Sequence, residues 1–301
     1  MALRRTVAKI DFVGGWKVWF AISGALLLLG LGAIAIGKLN FGIDFKGGAT
    51  FTSLESQKQP GEAEVRDSLP DFVQNEAVVL RAGDGYEVRT PPLTESQRGQ
   101  VRDALQGALG AEVSETSVSP TFGTQIRNQA LQAVAAALLV IVVFISIRYE
   151  FAFALAAMVA VVHDVLMTIG FYAIVGREVN LVTVVAVLTV LGYSLYDTII
   201  IFDRIRENAP AVGYNRRRFD EMVNNSIRQV IMRSIYTSVS TIIPVTALLI
   251  FGESTLSDFA FALLVGIIAG TYSSLFIASP VLSLYKARQA DRRRRVAETS
   301  A

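Results

Sequence analysis

Six stretches of this 301-residue chain are almost free of charge, and each is at least 18 residues long. They are Val18–Gly37, Asn128–Ile147, Phe151–Val175, Leu181–Phe202, Ser234–Phe251 and Phe259–Tyr285. At 1.5 Å per residue, even the shortest reaches about 27 Å as a helix, close to the ~30 Å of hydrocarbon in a bilayer. Such a pattern leaves little choice: the chain reads as an α-helical membrane protein with six transmembrane helices. A mean hydropathy of +0.46 with only 18% charged residues agrees with this and excludes an ordinary soluble domain. The first run follows Arg4, Arg5, Lys9 and Lys17 in the manner of a signal peptide. Its apolar core of about 20 residues is longer than a signal core, so it is expected to remain as an anchor.

An even number of spans puts both termini on one side, and the basic residues say which. Four Lys and Arg precede the first span, Arg148 lies in the 148–150 link, seven lie between Asp203 and Arg233, and six follow Tyr285. The short segments on the other side hold only Arg177. Basic residues near span ends stay in the cytoplasm, so both termini, and the loop at 203–233, are expected there. The expected layout is a cytoplasmic segment 1–17, a first span 18–37, an extracytoplasmic domain 38–127, five further spans within 128–285, and a basic tail 286–301.

The segment 38–127 is the one soluble domain. Strand-like alternation at Ala49–Glu55, Glu76–Ala82, Tyr86–Thr90 and Ala111–Ser119 brackets helical patterns at Pro60–Leu69 and Thr94–Leu109, with a hairpin turn at Gly83-Asp84-Gly85. The order β-α-β-β-α-β predicts a periplasmic α+β ferredoxin-like domain between helices 1 and 2. Nothing in it forms a nucleophile–base set, a metal cluster or a phosphate loop, and the fold by itself names no function. The chain has no cysteine and a single histidine, which excludes thiolate chemistry and any site built on several imidazoles.

The informative residues are polar ones inside apolar runs. Asp197 lies in the fourth run, within Gly192-Tyr193-Ser194-Leu195-Tyr196-Asp197-Thr198. A carboxylate in hydrocarbon costs several kcal/mol or loses its charge, so it marks a site. Gly192 is expected to let a neighbouring helix approach, and the nearby hydroxyls to bond Asp197. Arg233, at the start of the fifth run, matches Asp197 in depth and is its expected partner; a changing balance between burial and that arginine would let Asp197 bind and release a proton. A static buried ion pair or a neutral, hydrogen-bonded Asp197 is the competing reading. His163 and Asp164 sit near the middle of the third run, and adjacent helical residues diverge by ~100°, so they are not expected to neutralise each other. Packing and proton movement are both open for them. In Phe41-Gly42-Ile43-Asp44-Phe45-Lys46-Gly47-Gly48 the three glycines allow close backbone approach or positive φ, and Asp44 can accept N–H groups in a turn. This reads as a structural elbow. Gly266 and Gly270 form a small-xxx-small face in the sixth run, and Asn215–Met232 reads as an amphipathic helix lying on the membrane surface.

These motifs together resemble the SecD/SecF protein-export family of the RND superfamily. The resemblance rests on Phe41–Gly48, on His163-Asp164-Val165-Leu166, on Gly192–Asn208, and on Asn225-Ser226 with Arg233 and Thr237-Ser238, and it covers nearly the whole chain. It implies half of an RND-type helix bundle in the inner membrane, a SecD-like partner, and association with the SecYEG channel and indirectly with SecA. It further implies use of the proton gradient, with no cofactor, to help draw a preprotein across. Asp197 and Arg233 would carry the proton, with Asp164 and His163 as a deeper step. No enzyme activity and no nucleic-acid partner are implied. The alternative is a proton-coupled RND subunit moving small molecules, against which stands a domain of only ~90 residues with no evident apolar pocket.

Overall fold

The computed structural model describes residues 10–209, 216–252 and 254–299. Arg4, Arg5 and Lys9 of the basic N-terminal flank lie outside them, as does Asn215.

Among the described residues, six helices are long and apolar enough to cross a membrane: Trp16–Ala35, Pro120–Arg148, Phe151–Val175, Leu181–Asn208, Arg216–Phe251 and Thr255–Gln289. Their burial is unequal. The apolar windows of the third, fourth and sixth are 61%, 50% and 56% buried, against 6% for the second. The third, fourth and sixth spans therefore form the centre of the bundle, where the polar residues lie, and the second stands at its edge.

Two elements differ from the sequence reading. The segment expected on the membrane surface is instead the start of one continuous helix, Arg216–Phe251, that runs on through Pro244. Its apolar residues Met222, Val223, Ile227 and Ile231 are buried against Phe12, Val13, Ile201, Phe202 and Leu282. An amphipathic face serves protein packing as well as lipid, and here it holds the chain before the first span. Asn224 Oδ1 accepts the backbone N–H groups of Phe12 (2.8 Å) and Val13 (3.2 Å), and Arg228 donates to the Ile10 carbonyl at 2.9 Å. The second helix also begins at Pro120, eight residues before its apolar run, so about 12 Å of it projects beyond that run. Ser119 caps it by accepting the Phe122 N–H, and Pro120 at the first position loses no bond there.

Between the first and second spans, β2 (Gly48–Ser53), β3 (Val78–Ala82), β4 (Gly85–Thr90) and β5 (Ser114–Val118) form one antiparallel sheet in the order β3-β4-β2-β5. Helices Glu62–Asp67 and Glu95–Leu109 complete the order β-α-β-β-α-β. The longer helix starts at Thr94, whose hydroxyl accepts the Gln97 N–H while Gln97 reaches back to the Thr94 N–H, and ends at Gly110 with φ +66°. Val101, Leu105 and Leu109 on its inner face pack with Phe51, Val79, Tyr86 and Val88. Truncating Leu105 to alanine in such a core costs about 2–5 kcal/mol.

Several contacts tie the domain to the bundle. β1 (Asn40–Phe41) pairs in parallel with β6 (Glu178–Val179), in the link between the third and fourth spans. Gly47 (φ +80°) lies so close to Pro120 that a Cβ there would sit 2.8 Å from its backbone. Arg89 on β4 bonds both Glu87 (2.6 Å) and Glu178 (2.7 Å). Burial works against its charge, but the two carboxylates outweigh that and raise its pKa above the ordinary value.

Candidate functional site

The elbow after the first span, Gly42-Ile43-Asp44-Phe45-Lys46-Gly47-Gly48, is built for close contact. The Gly42 N–H donates to the Val179 carbonyl at 2.8 Å, and Phe45 is buried. Asp44 does not serve its own turn. Its Oδ2 accepts the Leu181 N–H at 2.9 Å, capping the start of the fourth span together with Asn180, whose Oδ1 takes the Thr183 N–H. A carboxylate at a helix N-terminus satisfies an orphan donor and meets the positive end of the dipole. The elbow thus fixes the end of the helix that carries Asp197.

Asp164 on the third span is fully buried, and both its oxygens are engaged. Oδ1 lies 2.9 Å from His163 Nδ1; Oδ2 accepts hydroxyls from Ser194 on the fourth span (2.5 Å) and Ser273 on the sixth (2.8 Å). Contrary to the expectation from helical divergence, His163 and Asp164 do meet. The Cβ atoms diverge by ~100°, but Nδ1 is bonded directly to Cγ, so a ring rotation brings it over the neighbouring carboxylate. The other ring nitrogen, Nε2, is buried and meets no hydrogen-bonding group among the described residues. The ring lies near Tyr272, whose hydroxyl donates to the Trp19 carbonyl.

Small residues bring the three helices this close. A Cβ at Gly270 would sit 2.7 Å from Ser194 Cβ, and one at Gly266 would meet Val190 at 2.4 Å. Gly192, expected to play that part, faces open space: nothing lies within 4 Å of a Cβ placed there. The approach is therefore made by the sixth helix, not the fourth. Just beyond Gly270 the sixth helix widens into a π turn at Ser274–Ala278, a local register shift that recurs at functional sites. Around it hydroxyls follow one another. Thr198 Oγ1 donates to the Ser194 carbonyl (3.1 Å) and lies 2.8 Å from Ser274 Oγ, and Ser279 donates to the Ser274 carbonyl.

Asp197 is also buried, at 1% exposure, yet among the described residues its Oδ2 has no hydrogen-bond partner. Ser234 on the fifth span faces Asp197 closely enough to act on it, although among the described residues its hydroxyl closes no bond of good geometry; Arg233 acts on Asp197 through its charge. The expected ion pair is not made: among the described residues, no Asp197 pair falls within 4.0 Å. Arg233 lies on the exposed side of its helix and donates to Tyr196 at 2.9 Å, while the next residue, Ser234, takes the buried position facing Asp197. Nor do the hydroxyls near Asp197 serve it, since Ser194 bonds Asp164 and Thr198 bonds backbone and Ser274. Among the described residues no hydrogen bond or ion pair links the two carboxylates.

Sequence reasoning missed Ser273, Ser274 and the arginine-accepting role of Tyr196. The Ser273-Ser274 pair inside an otherwise apolar run was the available signal. It also missed a second polar cluster at the domain end. There Arg177 bonds Asp258 at 2.7 Å and Asn180 reaches the same carboxylate at 3.3 Å.

This arrangement defines a class: a polytopic membrane protein with buried carboxylates at the centre of its bundle and one α+β domain inserted after the first span. The family model described as protein export membrane protein SecD/SecF, C-terminal, matches residues 101–288. A protein translocase subunit SecF from Rhodothermus marinus is 39% identical over 300 residues, covering 95% of this chain and 96% of the relative. The Mycobacterium tuberculosis subunit of the same name is 37% identical, over 92% of this chain and 67% of the relative. The crystal structure of SecDF from Thermus thermophilus, described as a translocon-associated membrane protein, superposes with a TM-score of 0.84 at 33% identity, covering 92% of this chain and 39% of that one. The chain belongs to the SecD/SecF protein-export family.

Proposed function

We propose that the chain is an auxiliary subunit of the Sec protein translocase that works with a SecD-like subunit in the inner membrane. The relatives are named as translocase subunits, and the solved relative, of which this chain matches 39%, carries SecD and SecF in its name. Both termini face the cytoplasm, as the basic residues near the span ends direct. The ferredoxin-like domain is then periplasmic, on the side where an emerging preprotein is met. SecYEG is the channel it serves, and SecA drives the preceding step. No cofactor and no catalytic chemistry are assigned, because the proton gradient supplies the energy.

The observation that carries the proton reading is the free Oδ2 of Asp197, buried between Ser234 and the charge of Arg233. That oxygen can take a proton without breaking an existing bond, and a swing of Arg233 from Tyr196 would reverse the preference. Asp164 and His163 form the deeper polar step. In membrane vesicles holding the translocase with this subunit and its SecD-like partner, Asp197→Asn is expected to lower gradient-dependent export at least tenfold while leaving ATP-driven export intact. Export at the unmutated level would remove the proton role.

A further inference from the structure

The chain enters and leaves the inserted sheet at one place. The elbow before it belongs to the bundle: the Asn40 side chain donates to the Gly176 carbonyl at 3.1 Å, and Gly42 and Asp44 bond Val179 and Leu181. The sheet begins at Gly48, reached through two glycines of positive φ, Gly47 (+80°) and Gly48 (+150°), and the chain leaves it after Val118 for Ser119 and Pro120. Gly48 and Val118 are register partners, and Gly47 packs directly on the Pro120 backbone, so entry and exit run side by side. Two adjacent connections make a pivot, and glycines in one of them absorb backbone rotation without a Cβ penalty.

Beyond the pivot, an ion pair between Arg89 on β4 and Glu178, in the link before the fourth span, joins the sheet to the bundle. Arg89 also holds Glu87, two residues back on the same strand and so on the same face. A buried cation that loses its carboxylate is strongly unfavourable, but here the domain carries a second carboxylate of its own. Arg89 can release Glu178 and stay paired. Glu178 borders a cleft between Leu80 and Arg81 of the sheet and Arg177, Ser257 and Asp258 of the bundle. Charged on both walls, that cleft lets water reach a released carboxylate and leaves the sheet room to tilt.

We propose that the inserted domain rocks about this pivot and that Arg89 is its latch, bonded to Glu87 and Glu178 together when closed and to Glu87 alone when open. The bundle half of the latch lies two residues before Asn180, which caps the fourth span, so the latch acts on the start of the helix that carries Asp197. This inference does not rest on the proton reading, and its test needs no export assay.

The chain has no cysteine, so pairs of introduced cysteines can carry spin labels on the full chain in lipid nanodiscs, where pulsed electron–electron resonance reads the distance between them. One pair, Leu54→Cys on the domain and Val175→Cys at the end of the third span, joins two exposed sites across the pivot. A second, Leu54→Cys with Phe72→Cys, joins two exposed sites within the domain. The first pair should show a main distance and a minor, displaced one. Glu178→Gln should raise the minor population at least about fivefold, the factor one such ion pair is worth. Glu87→Gln should not raise it, because release would then strand Arg89. The internal distance should be the same in all three proteins. One and the same cross-pivot distance in the unmutated and Glu178→Gln proteins would overturn the proposal, as would an equal rise in both variants. A shifted internal distance in Glu178→Gln would also overturn it, since the domain would then be unfolding and not rocking.

Discussion

Asp164 and Asp197 look alike in the sequence, each a lone carboxylate in an apolar run. In the fold their surroundings are opposite. Three side chains, His163, Ser194 and Ser273, close on the two oxygens of Asp164 from its own helix and two others. Around Asp197, Oδ2 and the facing Ser234 hydroxyl both stand without a bond. A buried polar network that is fully satisfied rigidifies and specifies one packing, whereas an unsatisfied group retains a driving force for change. The contrast separates a carboxylate that holds three helices together from one that is free to change partners.

The largest effect should come from removing the satisfied carboxylate. Asp164→Ala strands the imidazole and two hydroxyls in the protein interior. At ~1 kcal/mol for each interhelical contact in a membrane, the loss is about 2–4 kcal/mol. Thermal unfolding in detergent should show it as a large drop in Tm and poor recovery of monodisperse protein. Asp197→Ala removes a side chain whose Oδ2 has no donor, and should change stability by no more than about 1 kcal/mol while abolishing gradient-dependent export. If Asp197→Ala proved the less stable variant, the assignment of roles would be inverted.

A finer break point lies in the glycines that admit the hydroxyls. Gly270→Ala places a methyl group 2.7 Å from Ser194 Cβ, so two packed helices must separate. Overpacking of this kind costs about 1–3 kcal/mol, and it should draw Ser194 away from Asp164. Gly192→Ala meets nothing within 4 Å and gains helix propensity, for a change between zero and ~1 kcal/mol in favour of the fold. Comparing the two Tm values tests which helix makes the close approach. A larger loss in Gly192→Ala would mean that the fourth span, not the sixth, is the tight one.

The glycines also show how much the sequence made legible. Spans, domain order and hairpin follow from hydropathy, period and turn chemistry, which are local properties. That Asp164 and Asp197 lie buried follows from the cost of charge in hydrocarbon. What stays hidden is rotation about each helix axis, because a span that is apolar all round gives no sign of which side faces which neighbour. Rotation decides that Gly270 and not Gly192 meets another helix. It turns Ser194 toward Asp164, and it leaves Arg233 outside on Tyr196 while Ser234 points in. The surface-helix reading of Asn215–Met232 erred for the same reason: an amphipathic face declares that it will be buried, but not against what. Asp44 illustrates the other limit, since its partner Leu181 lies 137 positions away.

A further small effect concerns the end of the bundle away from the inserted domain, where a satisfied polar contact titrates. Tyr149, in the link between the second and third spans, donates to Asp203 at 2.7 Å. Burial first, and then that bond and the charge of Asp203, push its hydroxyl up to about 12 from an ordinary value near 10. The folded state thus holds the phenol proton more tightly than the unfolded chain does. Its contribution is complete below about pH 10 and is lost as the pH rises through about 12. Tyr149→Phe removes the contribution, so at neutral pH it should be less stable by about 0.5–1.5 kcal/mol, the worth of one hydrogen bond. The gap should close between pH 10 and pH 12, followed by alkaline unfolding of both proteins. Curves that stay parallel across that window would show that the Tyr149 proton is not coupled to folding, and that satisfied contacts at this end of the bundle contribute less than those around Asp164.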